Sequence, residues 1–368
     1  MLASQIADAM GYLVDGELPK VIQLPENPAH PGQYRVEYSI DQSLQEKMEL
    51  LFKRYRPDYG SFVAIDPQSG RILSMVSYSS ADEIKHLSVK ATFPSASVFK
   101  VVTAAAAIEL KHFKHSSLFA MNGRNHTLYK SQVFRTRFSK WTRVMTLGDA
   151  FALSVNSIFG KLGVFHIGAE ALMSFATRFG FNRDIGTDLR VEKSVSEVPM
   201  NDWELAEVSS GFTLSNRMSP LLGASIAATI ANDGRMMKPY VVSRLSDSEG
   251  EVIYEGTPRF DGQVVSGKTA FELKRMMQAT IQRGTSKKSF RGFSLDENGI
   301  TVGGKTGSLT GDAPEGKYDW FVGFAEAAGR RVAVSALTIN KQYWKVKSSY
   351  LARKAFEYQF ASRFGTDL

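Results

Sequence analysis

The chain has no cysteine. That excludes disulfides, thiolate metal sites and cysteine nucleophiles, and it is compatible with an oxidising compartment. Long apolar runs are missing as well. The longest, such as Val101–Ile108 and Leu221–Ala231, fall well short of the roughly 18–20 residues a membrane span needs. The start, Met1-Leu-Ala-Ser-Gln, lacks a basic region followed by an apolar one, so it does not read as a signal peptide. Either a cytoplasmic protein or a leader or anchor outside this chain is expected. The 6 histidines show no H-x-x-x-H or H-E-x-x-H spacing. His112 and His115, beside lysines, read as a surface feature, and no metal or other cofactor is expected.

What remains is enough for one large domain or two ordinary ones: 368 residues, 43% hydrophobic and 22% charged. Together with a mean hydropathy of -0.18, this fits a soluble globular chain with a substantial core. The net charge of +8 and pI near 9.4 favour anionic partners: nucleic acid, acidic lipid headgroups or an acidic polymer such as a cell wall.

The order of elements is strands, a helical block, then strands and a last helix. A short helix over 2–10 precedes a proline-punctuated lead-in at Pro19, Pro25, Pro28 and Pro31. Residues 41–55 read as an amphipathic helix with Leu44, Met48, Leu51 and Phe52 on one face. Gly60–Ser77 is a hairpin signature around the turn Asp66-Pro-Gln-Ser-Gly70. Helices are expected at Val98–Leu110, 146–162, 169–179 and 219–232, the last ending at Asn232-Asp-Gly234. Strands follow at 239–245 and 251–254, a helix at 269–282, three strands at Ile300–Leu309, Trp320–Ala325 and Arg331–Leu337, and a helix at 347–361. The first hairpin is expected to join the last strands in one antiparallel sheet. The fold class is therefore α+β or mixed α/β, a central antiparallel sheet flanked by helices plus an all-helical subdomain at about 98–235.

Two readings compete for Gly299-Ile-Thr-Val-Gly-Gly-Lys-Thr-Gly-Ser308. It fits G-x-x-x-x-G-K-[ST], a phosphate-cradling loop, and it contains a K-T-G triplet. A phosphate loop needs a buried strand before its first glycine and a helix beginning at its lysine. Here a polar turn precedes Gly299, and Gly-Ser-Leu-Thr-Gly-Asp-Ala-Pro follows Thr306. The segment reads as a strand through Lys305.

A second motif is Ser97-Val-Phe-Lys100, placed after Pro94 at the head of an apolar helix. A serine hydroxyl becomes nucleophilic when a base takes its proton, and a lysine can do so if burial and nearby positive charge keep it neutral. The helix start adds N–H groups for a developing oxyanion. The third, Ser154-Val-Asn156, interrupts an apolar helical pattern and could supply a relaying hydroxyl and an amide. Lys305-Thr-Gly307 with Ser308 could set an ammonium and hydroxyls opposite the nucleophile, with Gly307 leaving the strand edge open to a substrate backbone. Each motif alone also fits a helix cap, a core polar pair or a surface lysine.

Taken together, S-x-x-K, S-x-N and K-T-G in this order resemble the penicillin-binding transpeptidase family. Further segments agree with it: Gly60–Ser77, Phe93–Lys100, Ser219-Pro-Leu with Ile230–Gly234 and Lys238-Pro239, and Arg283-Gly-Thr285. The likeness runs from about residue 36 to 340. It implies a β-lactamase-like fold, with residues 1–35 a lead-in or linker and 36–368 the transpeptidase domain. It implies a D,D-transpeptidase acting on D-Ala-D-Ala stem peptides of peptidoglycan and inhibited by β-lactams. Ser97 would be acylated, with Lys100 its base. Ser154 would shuttle the proton, and Asn156 would hold the substrate amide. Lys305 and Thr306 would orient the relay and bind the carboxylate beside Gly307. The N–H groups of Ser97 and Ser308 would form the oxyanion hole. Work in cell-wall assembly and cell shape, in the periplasm or on the outer face of the cytoplasmic membrane, is implied too. So is a glycosyltransferase or assembly-complex partner, with any membrane anchor outside this chain.

Two departures stand out. Residues 1–35 are too few for a glycosyltransferase domain or a large pedestal, and Ser95-Ala96 replaces the more usual Pro-Gly pair. The rival readings are a D,D-carboxypeptidase, a serine β-lactamase of the same fold and a non-catalytic binding module. Class D enzymes prefer S-x-V where Asn156 stands, and no class A deacylating glutamate motif is found. Arg135–Arg143 interleaves basic and aromatic residues, a pattern that suits nucleic acid. Its place between two catalytic motifs suits a cleft-edge loop in contact with a glycan or partner better, and no nucleic acid is expected.

Overall fold

The computed structural model describes residues 2–10, 18–24, 32–81, 86–135, 137–293 and 299–360. At its centre is a five-stranded antiparallel sheet. Its spatial order is Thr301–Asp312, Glu315–Ala327, Arg330–Asn340, Tyr59–Ile65 and Ile72–Ser79. The first hairpin does join the last three strands. Its turn forms because Asp66 Oδ1 accepts the N–H of Gln68 at 2.8 Å and Gly70 takes φ 83°, a left-handed value that suits glycine.

Side chains alternate across each strand, so the sheet has two unlike faces. Phe321 points to the face covered by helices Gln42–Tyr55 and Ser348–Gln359, where it packs with Leu44, Met48, Phe52 and Phe356. Trp320 points the other way, and its Nε1–H donates to Pro94 O at 2.8 Å, tying the sheet to the segment that carries Ser97. That second face is covered by helices Pro220–Ala231 and Gly267–Gln282 and by the helical block.

The expected helix at 98–110 divides into a 3-10 turn, Ala96–Phe99, and an α-helix, Lys100–Lys111. Its alanines are buried on all sides, which accounts for the lack of an apolar stripe. The expected helix at 146–162 is broken. Leu147–Ala152 and Asn156–Leu162 flank a bend in which Ser154 has φ 57°. A further helix, Asp202–Ser210, was not anticipated, although its signals are present. Asn201 caps it by accepting the N–H groups of Trp203 and Glu204, and Gly211 ends it at φ 65°.

Two expectations need correction. The helical block is not all-helical, because strands Leu118–Met121 and Arg143–Thr146 form a hairpin inside it. Each strand has four residues, and Leu118 and Val144 are exposed, so the alternation that marks a half-buried strand is weak. Residues 1–35 do more than lead in. Val21–Leu24 pairs with Gly32–Tyr38, which continues through Val242–Ser246 to Val252–Glu255 as a second sheet. Ile6 and Met10 of helix Leu2–Met10, with Ile22 and Leu24, are buried in the main core. The positions of Pro25, Pro28 and Pro31 lie outside the described residues.

Candidate active site

Ser97 lies in the 3-10 turn, where residues i and i+3 eclipse one another. Lys100 is thus brought directly over it, with Nζ 2.8 Å from Ser97 Oγ. Lys100 is fully buried. Its Nζ also donates to Asn156 Oδ1 at 2.7 Å and to Ser210 O at 2.5 Å. Ser210 O is one of the carbonyls that a helix C-terminus leaves without an internal partner.

Both of those oxygens only accept. Burial holds the Lys100 ammonium well below its usual 10.5, and the charge of Lys305 acts in the same direction. A neutral amine has two N–H groups for the two acceptors and keeps its lone pair for the Ser97 hydroxyl. The arrangement can therefore serve a base at Lys100.

Lys305 comes from the edge strand of the sheet and is also fully buried. Its Nζ donates to Ser154 Oγ at 3.0 Å and to Thr306 O at 2.7 Å, and burial brings its pKa down to about 7. The next residue points to the other side of the strand: Thr306 Oγ1 lies 2.6 Å from Thr285 Oγ1. Arg283-Gly-Thr285 is in turn fixed below the Ser154 bend. Thr285 N–H donates to Ala152 O at 3.1 Å, and Arg283 Nε donates to Asp149 Oδ1 at 2.7 Å.

Gly307 also answers a packing demand. A Cβ there would lie 3.1 Å from Ser95 O and 3.2 Å from Val98 Cγ2, so the bare backbone lets this strand close on the nucleophile turn. Gly211 is tighter still, since a Cβ would fall 2.0 Å from Ala96 O. The turn itself is strained: Ala96 sits at φ 48°, as Ser154 does at 57°. Left-handed backbone costs non-glycine residues roughly 1–2 kcal/mol each. The strain falls on the residues beside and within two of the motifs.

These residues open onto a cleft of about 380 Å³ lined by Ser97, Ser154, Asn156, Thr306 and Ser308. All three sequence motifs thus meet at one place. Residues 60–357 match the penicillin-binding protein transpeptidase domain. The chain belongs to the penicillin-binding protein transpeptidase family. A peptidoglycan D,D-transpeptidase, PbpA of Mycolicibacterium smegmatis, is 29% identical over 314 residues, 76% of this chain and 62% of that protein. Stage V sporulation protein D of Bacillus subtilis is 25% identical over 317 residues, 79% of this chain and 47% of that protein. The chain thus spans about half to three-fifths of these relatives.

Solved structures agree. Penicillin-binding protein A from M. tuberculosis, as its penicillin G acyl-enzyme complex, has a TM-score of 0.70 at 25% identity, with 91% of this chain and 82% of that chain covered. The D,D-transpeptidase domain of a peptidoglycan glycosyltransferase from Eggerthella lenta has a TM-score of 0.74 at 25% identity, with 94% and 86% covered.

Other members of this transpeptidase cleft were not picked out from sequence. His126, Phe212, Thr285 and Lys288 line it too. Three belong to loops with no chemical pattern of their own, and Thr285 was noted only as part of Arg283-Gly-Thr285. The stretch 135–143 is tied to the loop that precedes His126 through Arg143, which donates to Gly123 O at 3.2 Å and Asn125 Oδ1 at 3.4 Å. Phe138 and Trp141 of that stretch are 73% and 75% exposed. Thr136 lies outside the described residues.

Proposed function

We propose that this chain is a D,D-transpeptidase domain that cross-links peptidoglycan through an acyl-enzyme on Ser97. The observation that carries the reading is the buried Lys100 amine 2.8 Å from Ser97 Oγ, with its N–H groups spent on Asn156 and Ser210. Lys100 takes the hydroxyl proton as Oγ attacks the carbonyl carbon of the penultimate D-alanine. The oxyanion is received by the N–H groups of Ser97 and Ser308. Ser154, held by Lys305, passes a proton to the departing D-alanine amine. The donor's free carboxylate rests on Thr306 and Ser308 near Lys305, whose pKa of about 7 rises when an anion arrives. Asn156 still has one amide hydrogen for the substrate, because Nδ2 donates its other to His126 O at 3.0 Å.

The acyl group then passes to the amine of a second stem peptide. Such a substrate places the domain outside the cytoplasmic membrane, in company with a glycosyltransferase or cell-wall assembly complex. We take residues 36–368 as carrying the catalytic groups, with Leu2–Met10 and Val21–Leu24 packed onto them in the same core.

Intact mass spectrometry tests this reading. Wild type and Ser97→Ala are incubated with benzylpenicillin and followed over hours. A persistent adduct in wild type and none in the variant is the expected result. An adduct lost within minutes would make the chain a β-lactamase, and no adduct at all would reject acyl transfer at Ser97.

A further inference from the structure

His126 sits in the loop after strand Leu118–Met121 and is held at the cleft by its backbone. Asn156 clamps this loop twice. Its N–H donates to Asn125 O at 2.8 Å, and Nδ2 donates to His126 O at 3.0 Å. The imidazole is not needed for either bond. It is exposed and lines the same cleft as Ser97 and Ser154. A neutral imidazole has one donor and one acceptor nitrogen, and the acceptor can take a proton from a ligand in the cleft.

The site has an unmet need that this group fits. The second substrate is an amine, which in water arrives as an ammonium ion. It must lose one proton before it can attack and a second one as it attacks. The second has a route, because the Ser154 relay that protonated the leaving D-alanine runs in reverse. The first has none on the floor of the cleft, where Lys100 and Lys305 are enclosed and engaged.

Resting on the transpeptidase reading above, we propose that His126 is the acceptor-side base, which takes the first proton from the incoming ammonium and sets the amine against the Ser97 ester. The steps balance. R–NH3+ gives a proton to the imidazole and becomes R–NH2. The amine nitrogen bonds to the acyl carbon as the bond from that carbon to Ser97 Oγ breaks. The amine's second proton passes through Ser154 to Ser97 Oγ, and the imidazolium releases its proton to water.

The charges around the ring favour this. Desolvation on the side of the ring that meets the cleft wall holds His126 below its usual 6.5, and positive charge on Lys100 or Lys305, whenever either is protonated, acts in the same direction. A bound ammonium feels the positive charge of protonated Lys305 and loses its proton more readily for the same reason. The other charged groups near the ring are Arg124 on its own loop, Arg143, bound to Asn125, and Lys288 across the cleft. Asp319, the one carboxylate lining the cleft among the described residues, is paired with Lys347 at 3.2 Å.

The test is a partition experiment on the purified chain with a thioester donor ending in D-alanine or its analogue and D-alanine as acceptor amine. Wild type, His126→Ala and His126→Gln are compared for the ratio of aminolysis to hydrolysis product from pH 5 to 9, and for the rate of benzylpenicillin acylation. The ratio should fall at least about tenfold in both variants, while acylation changes by less than about threefold. The aminolysis-to-hydrolysis ratio, in which the Lys100 dependence of acylation cancels, should show an extra acid limb on the acid side of about pH 6.5 only in wild type. An unchanged ratio would overturn the proposal. So would a fall in acylation as large as the fall in aminolysis, which would make His126 a structural residue. The two levels fail separately: a wild-type Ser97 adduct with an unchanged ratio removes His126 alone, whereas no adduct in wild type removes the transpeptidase reading beneath it.

Discussion

The two faces of the central sheet are built to opposite rules. On the face covered by Gln42–Tyr55 and Ser348–Gln359, the buried cluster is aliphatic and aromatic, with Phe52, Phe321 and Phe356 packed together. On the other face, the core encloses Lys100 and Lys305, both fully buried, with Thr103, Ser154 and Asn156. A buried ammonium is expensive unless it sheds its proton. The first face therefore stabilises the fold, and the second gives up stability to hold an amine in its reactive form. Alternation along the strand puts Trp320 and Phe321 on opposite sides of this division although they are neighbours in sequence.

The largest effect should come from removing the amine. Lys100→Met should slow benzylpenicillin acylation by at least about 10³-fold, within the range for losing a general base. The same variant no longer holds a buried amine away from its usual protonation but leaves Asn156 Oδ1 and Ser210 O without their donor, at about 1–3 kcal/mol each, so its stability should fall far less than its rate. Stopped-flow acylation and denaturant unfolding together check both halves. Equal loss of stability and rate would erase the contrast between the faces.

Next comes the converse change on the apolar face. Phe52, fully buried and stacked on Tyr78 with ring centroids 5.9 Å apart, should cost about 3–5 kcal/mol as Phe52→Ala. The fraction that stays folded should acylate at nearly the wild-type rate. A smaller effect is expected where the faces meet the nucleophile. Gly307→Ala sets a methyl 3.1 Å from Ser95 O. It should cost about 1 kcal/mol from overpacking and slow acylation about tenfold, because the strand and the Ser97 turn move apart. A rate loss in Gly307→Ala with no change in stability would point to substrate contact at Gly307 instead.

How much of this could be read from the chain follows from the same division. The sheet was legible because apolar runs such as Gly60–Ser77 and Trp320–Ala325 end in strong turn chemistry. The three motifs were legible because their residue types are rare in combination. The backbone of the site was not. Nothing in Leu153-Ser-Val-Asn-Ser157 says that a helix breaks with Ser154 at φ 57°, since tertiary contacts impose that strain. At Gly307 the sequence suggests room for substrate, and its close packing against Ser95 and Val98 shows only in three dimensions. His126 carries no local pattern at all. It becomes visible once Asn156 is seen to hold its loop. The strands Val21–Leu24 and Leu118–Met121 were too short to announce themselves.

The central claim is that Lys100 is an unprotonated amine at neutral pH, and the pH dependence of benzylpenicillin acylation tests it most directly. Raising the pH should switch the base on as Lys100 loses its proton, with a midpoint far on the acid side of 10.5. It should also switch the anion site off as Lys305 loses its proton near 7, so the rate should not keep climbing far above that pH. An acylation rate that keeps climbing through pH 7 with a midpoint near 10, as an ordinary lysine gives, would contradict the account.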